Sequence, residues 1–394
     1  APTVEPDPGN AGVGRHRITH PHHELDVAVA GAGPIGLAIA WRAAARGLRT
    51  AVVDAGEPGA WYVAAGMLAP ATEAEFGEDA LAGLGLRSAE RFPAFCAELA
   101  RASGRDPGLR RTGTLAVARD ADEAEALERL LAYRRDRGLP VERLRPSQAR
   151  RLEPALAPTV RLALLAPDDH SVDPRALVAA LQAALDRAGV ERIAGRAERV
   201  THDGERVTGL ALADGRELRA AQVVLATGPN AVEAPGPVPV RPVKGQVLRL
   251  RDPRGHRSHP PLVHRTIRAA DAYLVPRADG RYVLGATMEE QGFDRTPTAG
   301  GVYELLRDIA EVVPGVLELD VEELLAGLRP ATPDNLPAIG PGMLSGLHWA
   351  AGHFRNGILL APLTADLVAG ALAGAELPSW ADCCDPLRFA KAYA

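Results

Sequence analysis

Cysteine, aromatic side chains and long apolar runs are all scarce in this chain of 394 residues, and each shortage narrows what it can be. The three cysteines, Cys96, Cys383 and Cys384, cannot build a disulfide framework, because adjacent cysteines bridge only with strain. They read as free thiols in a reducing, cytoplasmic setting. No run is suited to spanning a membrane: the most apolar late stretch, 357 to 375, is interrupted by Pro362 and Asp366, as befits a buried helix. No secretory leader is visible either. An excess of positive charge is missing too. The formal net charge of -5 comes with both signs interspersed, so no basic face is offered to a nucleic acid. With 4% aromatics inside a hydrophobic content of 46%, the core should be aliphatic and fine-grained.

The length exceeds one ordinary compact core and suits two domains. Residues 1 to 24 are rich in Pro, Gly and His without apolar period, and are expected to form a mobile tail. His16, His20, His22 and His23 in that tail lack a carboxylate or thiolate spaced to complete a metal site, so no metal is expected. From Leu25 the pattern becomes a buried strand (Asp26 to Ala30), a glycine turn, a helix (Pro34 to Arg46) and a second strand (Thr50 to Val53), which is a βαβ opening. Helices are expected at Ala80 to Ala102, Ala121 to Arg137 and Pro174 to Ala188, with a strand at Thr114 to Ala118. Short strands follow near Val190 to Ile193, Val207 to Leu212, Glu217 to Leu218 and Gln222 to Ala226. Alternation near Gln246 to Arg251, Ala272 to Val275 and Tyr282 to Ala286 predicts a second domain on a mixed or antiparallel sheet. A strand at Leu347 to Ala351 then feeds a turn and a helix, Gly357 to Ala373. The fold class is therefore α/β, with a Rossmann-like domain and this second, substrate domain on a mixed or antiparallel sheet beside it.

Chemistry concentrates at three places. Gly31-Ala32-Gly33-Pro34-Ile35-Gly36 is a G-x-G-x-x-G between a strand and a helix. Gly31 permits the tight turn, Gly33 lets a pyrophosphate approach the backbone, and Gly36 lets helix and strand pack closely. The helix that starts with Pro34 and Ile35 offers the unpaired N–H groups of its first turn, from Ile35 onward, to phosphate. Asp54, 18 residues beyond Gly36, is placed to accept ribose hydroxyls. FAD and NAD share this fingerprint. Val223 to Gly228, an apolar strand ending in Thr227-Gly228, is a common second contact of FAD folds after a strand meander, though on its own it could simply end a buried strand. Gly352 to Pro362 follows an apolar strand, and a helix starting near Gly357 would aim its positive end at a reduced flavin.

Ala64-Ala65-Gly66-Met67-Leu68-Ala69-Pro70, Val243-Lys244-Gly245, Tyr273-Leu274-Val275-Pro276-Arg277, Gly285-Ala286-Thr287-Met288, Gly327-Leu328-Arg329-Pro330 and Gly352 to Pro362 run in order along the chain. In these segments it resembles the glycine oxidases of thiamine biosynthesis, within the D-amino-acid oxidase and sarcosine oxidase group. The resemblance implies non-covalent FAD, since the cysteine that sarcosine oxidases place ahead of the stretch matching Leu328 to Asp334 is missing. It implies that Arg329 clamps a substrate carboxylate, Tyr273 hydrogen-bonds it, and Arg355 lies near flavin and substrate. A planar guanidinium suits a carboxylate because it gives two parallel charge-assisted hydrogen bonds. Met288 lines the pocket or fills core. Ala65, Gly66 and Met67 approach the flavin ring, and His353, Arg355, Asn356, Gly357 and Ile358 contact the cofactor.

The resemblance further implies a discontinuous FAD-binding domain of the Rossmann-like, glutathione-reductase type (25–106, 164–236, 329–394) and a substrate domain (107–163, 237–328). The implied reaction oxidises glycine or a similar small amino acid, with dioxygen as acceptor, in a homo-oligomer (dimer or tetramer). Two departures bear on substrate and flavin. Trp61-Tyr62-Val63 stands where relatives carry small polar residues, and Pro229-Asn230 where they often place an aromatic. An oxidase of an N-substituted glycine, a dehydrogenase reducing another acceptor, and a flavin-binding protein without turnover are the alternatives. A substrate panel and the peroxide yield under air separate them.

Overall fold

A computed structural model describes residues 25–255 and 259–392, so the histidines of the first 24 residues lie outside it. Five strands form a parallel sheet in the spatial order Glu191–Ala194, Thr50–Asp54, Leu25–Ala30, Glu217–Leu225, Leu347–Ala351. Their apolar runs suit a sheet covered on both faces. Ala338–Pro341 adds antiparallel beyond Leu347–Ala351, and Ala197–His202 and Val207–Leu212 form an antiparallel meander. The strands expected at Glu217 to Leu218 and Gln222 to Ala226 are one. Its first third pairs antiparallel with Val207–Leu212 and its remainder parallel with Leu25–Ala30, so it changes partners without breaking. Helices Pro34–Ala44, Asp79–Ser103, Pro174–Arg187 and Ala361–Leu372 pack together over the parallel sheet around Leu37, Phe92, Phe95, Leu181 and Leu363.

The second sheet is also eight-stranded, in the order Asp320–Ala331, Arg241–Arg251, Arg281–Gly285, Tyr273–Pro276, Thr266–Arg268, Thr114–Ala118, Leu162–Ala166, Glu142–Leu144. Every pairing is antiparallel except Thr266–Arg268 with Thr114–Ala118, so the expected mixed sheet is present. Helix Ala299–Ala310 covers one end, and helix Ala121–Asp136 packs on Thr114–Ala118 and Leu162–Ala166. The latter helix is capped by Asp120, whose carboxylate accepts from Glu123 N at 2.9 Å. A small antiparallel sheet, Met67–Leu68 with His170–Val172 and Leu109–Arg110, lies between the large ones in sequence. No helix among the described residues is long and apolar enough to cross a membrane.

Candidate active site

A cavity of about 580 Å³, within the range of ligand pockets, is walled by both large sheets. At one end lies the turn between Leu25–Ala30 and Pro34–Ala44. Gly31 adopts φ +107°, and a Cβ on it would stand 2.3 Å from the Ala226 carbonyl oxygen. A Cβ on Gly36 would stand 2.0 Å from the Gly31 carbonyl oxygen. Both glycines are thus required by the protein's own packing. Gly33 is different: a Cβ there would meet only Trp61 Cδ1, at 3.7 Å, and the position faces the cavity with Pro34 and Ile35. The helix it opens has no side-chain cap and no acid in its first turn, leaving its N–H groups to an anion. Asp54 lines the same end, with Oδ1 accepting from Gly56 N at 3.0 Å and Oδ2 without a hydrogen-bond partner among the described residues. Thr227 and Gly228, after the strand Glu217–Leu225, complete this wall. A cradle that a Cβ would fill, an uncapped helix start and an acid at the second strand's end together fit the adenosine diphosphate portion of FAD.

At the other end, Ala65, Gly66 and Met67 line the cavity, with Gly66 at φ +74° where a Cβ would strike the Val172 carbonyl oxygen at 2.0 Å. The buried Arg277 donates to the Ala65 carbonyl at 2.6 Å and so fixes this segment from behind. Opposite stand Arg329 and Tyr273. The Arg329 guanidinium lies over Gly245 of the neighbouring strand, where a Cβ would be 2.3 Å from Nη1. Its Nη1 donates to the carbonyls of Lys244 at 3.2 Å and Thr287 at 3.1 Å, and no acid is paired with it among the described residues. The Tyr273 ring similarly covers Gly285. Burial holds the Tyr273 hydroxyl above its ordinary pKa, against the pull of Arg329 beside it, so it keeps its proton at neutral pH.

Met288 also lines the cavity but is 60% exposed, which places it at the mouth rather than in core. Arg355 lines the wall too, yet its Nη2 is tied to Glu78 at 2.8 Å, while its buried Nε has no partner among the described residues. His353, Gly357 and Ile358 are on the wall. The His353 ring is buried against Thr364 Oγ1 at 3.0 Å, and burial lowers its pKa to about 3, so it is neutral. Asn356 is not on the cavity wall. It is buried within the 3-10 turn Phe354–Asn356, and Gly36 is likewise behind the wall, against Gly31. The helix expected from Gly357 begins at Ala361, because the chain first runs through that 3-10 turn and four turn residues.

The departure at Trp61-Tyr62 falls at this wall, and two further wall residues, Arg268 and Glu73, have no counterpart in the sequence reading. Trp61, on the turn Ala60–Tyr62, lies over Gly33 at the dinucleotide end, while Tyr62 stacks under the Arg175 guanidinium at 3.6 Å. Arg268 and Glu73 line the clamp end and pair at 2.6 Å. Neither has a local sequence signal, since the pair joins positions 195 residues apart.

Comparison with known proteins agrees with this geometry. The chain is 35% identical over 355 residues to the bifunctional protein ThiO/ThiG of Trichormus variabilis, covering 87% of this chain but 52% of that protein, so it spans about half its length. It is 36% identical over 363 residues to the glycine oxidase of Geobacillus kaustophilus, covering 88% of this chain and 92% of that one. The crystal structure of glycine oxidase from Geobacillus kaustophilus superposes with a TM-score of 0.85 at 34% identity, over 92% of this chain and 98% of that chain. The family model described as FAD dependent oxidoreductase matches residues 26–371, and with the dinucleotide cradle at Gly33 this establishes that the chain belongs to the DAO family of FAD-dependent oxidoreductases.

Proposed function

We propose that this protein is an FAD-dependent amino acid oxidase of the thiamine-biosynthetic glycine oxidase type. It converts glycine, or a similarly small amino acid, with water and dioxygen to glyoxylate, ammonia and hydrogen peroxide. The observation that carries the reading is the pair Arg329 and Tyr273. A guanidinium without an acidic partner and a protonated phenol share one wall of the cavity that holds the dinucleotide turn. Arg329 takes the carboxylate in charge-assisted hydrogen bonds, and the Tyr273 hydroxyl donates a further one. Anchoring one end of so small a molecule fixes where its α C–H bond points. Bound FAD supplies the two-electron acceptor for that bond and passes the electrons to dioxygen. No side-chain base is required, since the neutral amine's lone pair assists loss of the hydride.

Gly31, Gly33, Pro34, Ile35, Asp54, Thr227 and Gly228 would hold the adenosine diphosphate portion. Ala65, Gly66, Met67, His353, Arg355, Gly357 and Ile358 would surround the flavin. Met288 would stand at the substrate entrance. The domain division (25–106, 164–236 and 329–394 for FAD; 107–163 and 237–328 for substrate) belongs to the same reading. So do a cytoplasmic location and a homo-oligomer, the latter supported by exposed Val321 and Leu324 on the outermost strand of the second sheet. The test is anaerobic mixing of the yellow holoenzyme with glycine, sarcosine, D-alanine and L-alanine. Glycine should bleach the flavin fastest, and air should return the colour with one peroxide per glyoxylate. An unbleached flavin with all four would overturn the proposal.

A further inference from the structure

The wall at the clamp end carries more guanidinium than a single carboxylate needs. Arg268, Arg329 and Arg355 all line the cavity. Two of them are cancelled by acids from one short segment: Glu73 pairs with Arg268 at 2.6 Å and Glu78 with Arg355 at 2.8 Å. Among the described residues, Arg329 alone of the three has no acid paired with it.

The segment bearing Glu73 is held with unusual firmness for a loop. Beneath it lies Asp169, 1% exposed, whose carboxylate accepts from Ala71 N at 3.0 Å, Thr72 N at 2.6 Å and Thr72 Oγ1 at 2.7 Å. From the other side comes Arg134, 2% exposed, whose Nη2 donates to the Thr72 carbonyl at 2.6 Å and the Ala74 carbonyl at 3.4 Å. Tyr133, next to it on helix Ala121–Asp136, donates to the Glu75 carbonyl at 2.6 Å. A buried carboxyl and a buried guanidinium are each costly to desolvate, and here both are used to grip the backbone on either side of one residue. That residue is Glu73, half-buried, with its carboxylate on Arg268 and within electrostatic reach of Tyr273.

We propose that the Glu73–Arg268 pair is a specificity determinant that restricts the clamp end to amino acids bearing a single carboxylate. This deepens the amino acid oxidase reading and rests on it. With Glu73 in place Arg268 presents no net charge, and a second carboxylate arriving near it meets a like charge instead of a cation. Specificity then comes from a repulsive element as much as from the attractive clamp. Arg295, which also lines the cavity and has no acid paired with it among the described residues, is exposed, where water screens it.

The test uses the FAD-loaded enzyme and two non-reacting probes, acetate and malonate, titrated against the flavin absorption spectrum. Glu73→Gln keeps the side chain's shape while removing its charge. It should raise malonate affinity relative to acetate at least about tenfold, because Arg268 is then uncompensated. Arg268→Gln leaves Glu73 unopposed and should lower the same ratio by a similar factor. A structural role alone would weaken both probes in both variants and leave the ratio flat. A ratio within twofold of the parent in both variants, or moving the same way in both, overturns the proposal. If one variant does not hold FAD, the sign in the other decides. Turnover separates this from the function proposed above. A parent that binds acetate but never oxidises glycine fails that function while the charge selection stands. A parent whose flavin responds to neither probe removes the carboxylate site on which both rest.

Discussion

At the scale of single residues, the proposed substrate class rests on Arg329 as the carboxylate clamp. If it holds that carboxylate as proposed, its removal leaves the charge unpaired in a partly desolvated cavity, costing about 2 to 5 kcal/mol, or roughly 30-fold to several thousand-fold in kcat/KM. Arg329→Ala should therefore lose glycine turnover while keeping the parent's flavin spectrum, and Arg329→Lys should fall between, since it retains charge but not the fork. Parental kcat/KM in the alanine variant would mean that the carboxylate binds elsewhere. Arg329 and Tyr273 were legible in the sequence because each sits in a short motif, Gly-Leu-Arg-Pro and Tyr-Leu-Val-Pro-Arg. Glu73, Arg268, Arg134 and Asp169 were not. Their meaning lies in contacts such as Arg134 to Thr72 and Asp169 to Ala71, across 62 and 98 residues of chain, which no local spacing records. Arg277 stood inside a quoted motif, but only the fold shows that it grips Ala65.

At the scale of elements, the glycine turn before helix Pro34–Ala44 separates packing from binding. Gly33→Ala puts a methyl into the cavity 3.7 Å from its nearest protein neighbour, on a backbone at φ -76° that alanine readily adopts. The apoprotein should be as stable as the parent or up to about 1 kcal/mol more so, while FAD affinity drops at least about tenfold. Gly36→Ala drives the same methyl to 2.0 Å from a backbone oxygen, and should destabilise the apoprotein by about 1 to 3 kcal/mol or more. Thermal melts of both apoproteins, with FAD titrations, check this; equal melting losses would sink the distinction. The strands Thr114–Ala118, Val207–Leu212 and Leu347–Ala351 could be read to the residue, being apolar runs between turn signals. Asp320–Ala331 could not. Its Glu-Glu-Leu-Leu-Ala favours helix, yet it pairs along the whole of Arg241–Arg251, where tertiary pairing overrides propensity.

At the scale of the whole molecule, acid should unfold this protein earlier than its surface charges suggest. Burial lowers His348 to about 4 and His353 to about 3 from an ordinary 6.5. Below that value the unfolded chain takes up protons that the fold refuses, so the stability these two carry is complete above about pH 6.5 and lost on acidification. Asp169 works in the opposite sense. Burial raises it to about 6 from 3.8, so the folded protein holds a proton there that the unfolded chain has released, and its contribution shrinks as pH rises across that window. Between pH 6 and 4 two imidazoles oppose one carboxyl. The melting temperature should fall by several degrees from pH 7 to pH 4.5, and His348→Gln should flatten the decline; a level or rising curve in the parent would falsify the balance. The two large sheets have one further consequence. The chain leaves the first after Thr50–Asp54, enters the second at Thr114–Ala118, and returns by Glu191–Ala194. It crosses again to Arg241–Arg251 and comes back for Ala338–Pro341. Four crossings mean that a single break in the gene can release neither sheet as a self-sufficient fragment. Two halves split anywhere between Ala118 and Asp320 would each carry strands of both sheets, and colour would return only when the halves are expressed together.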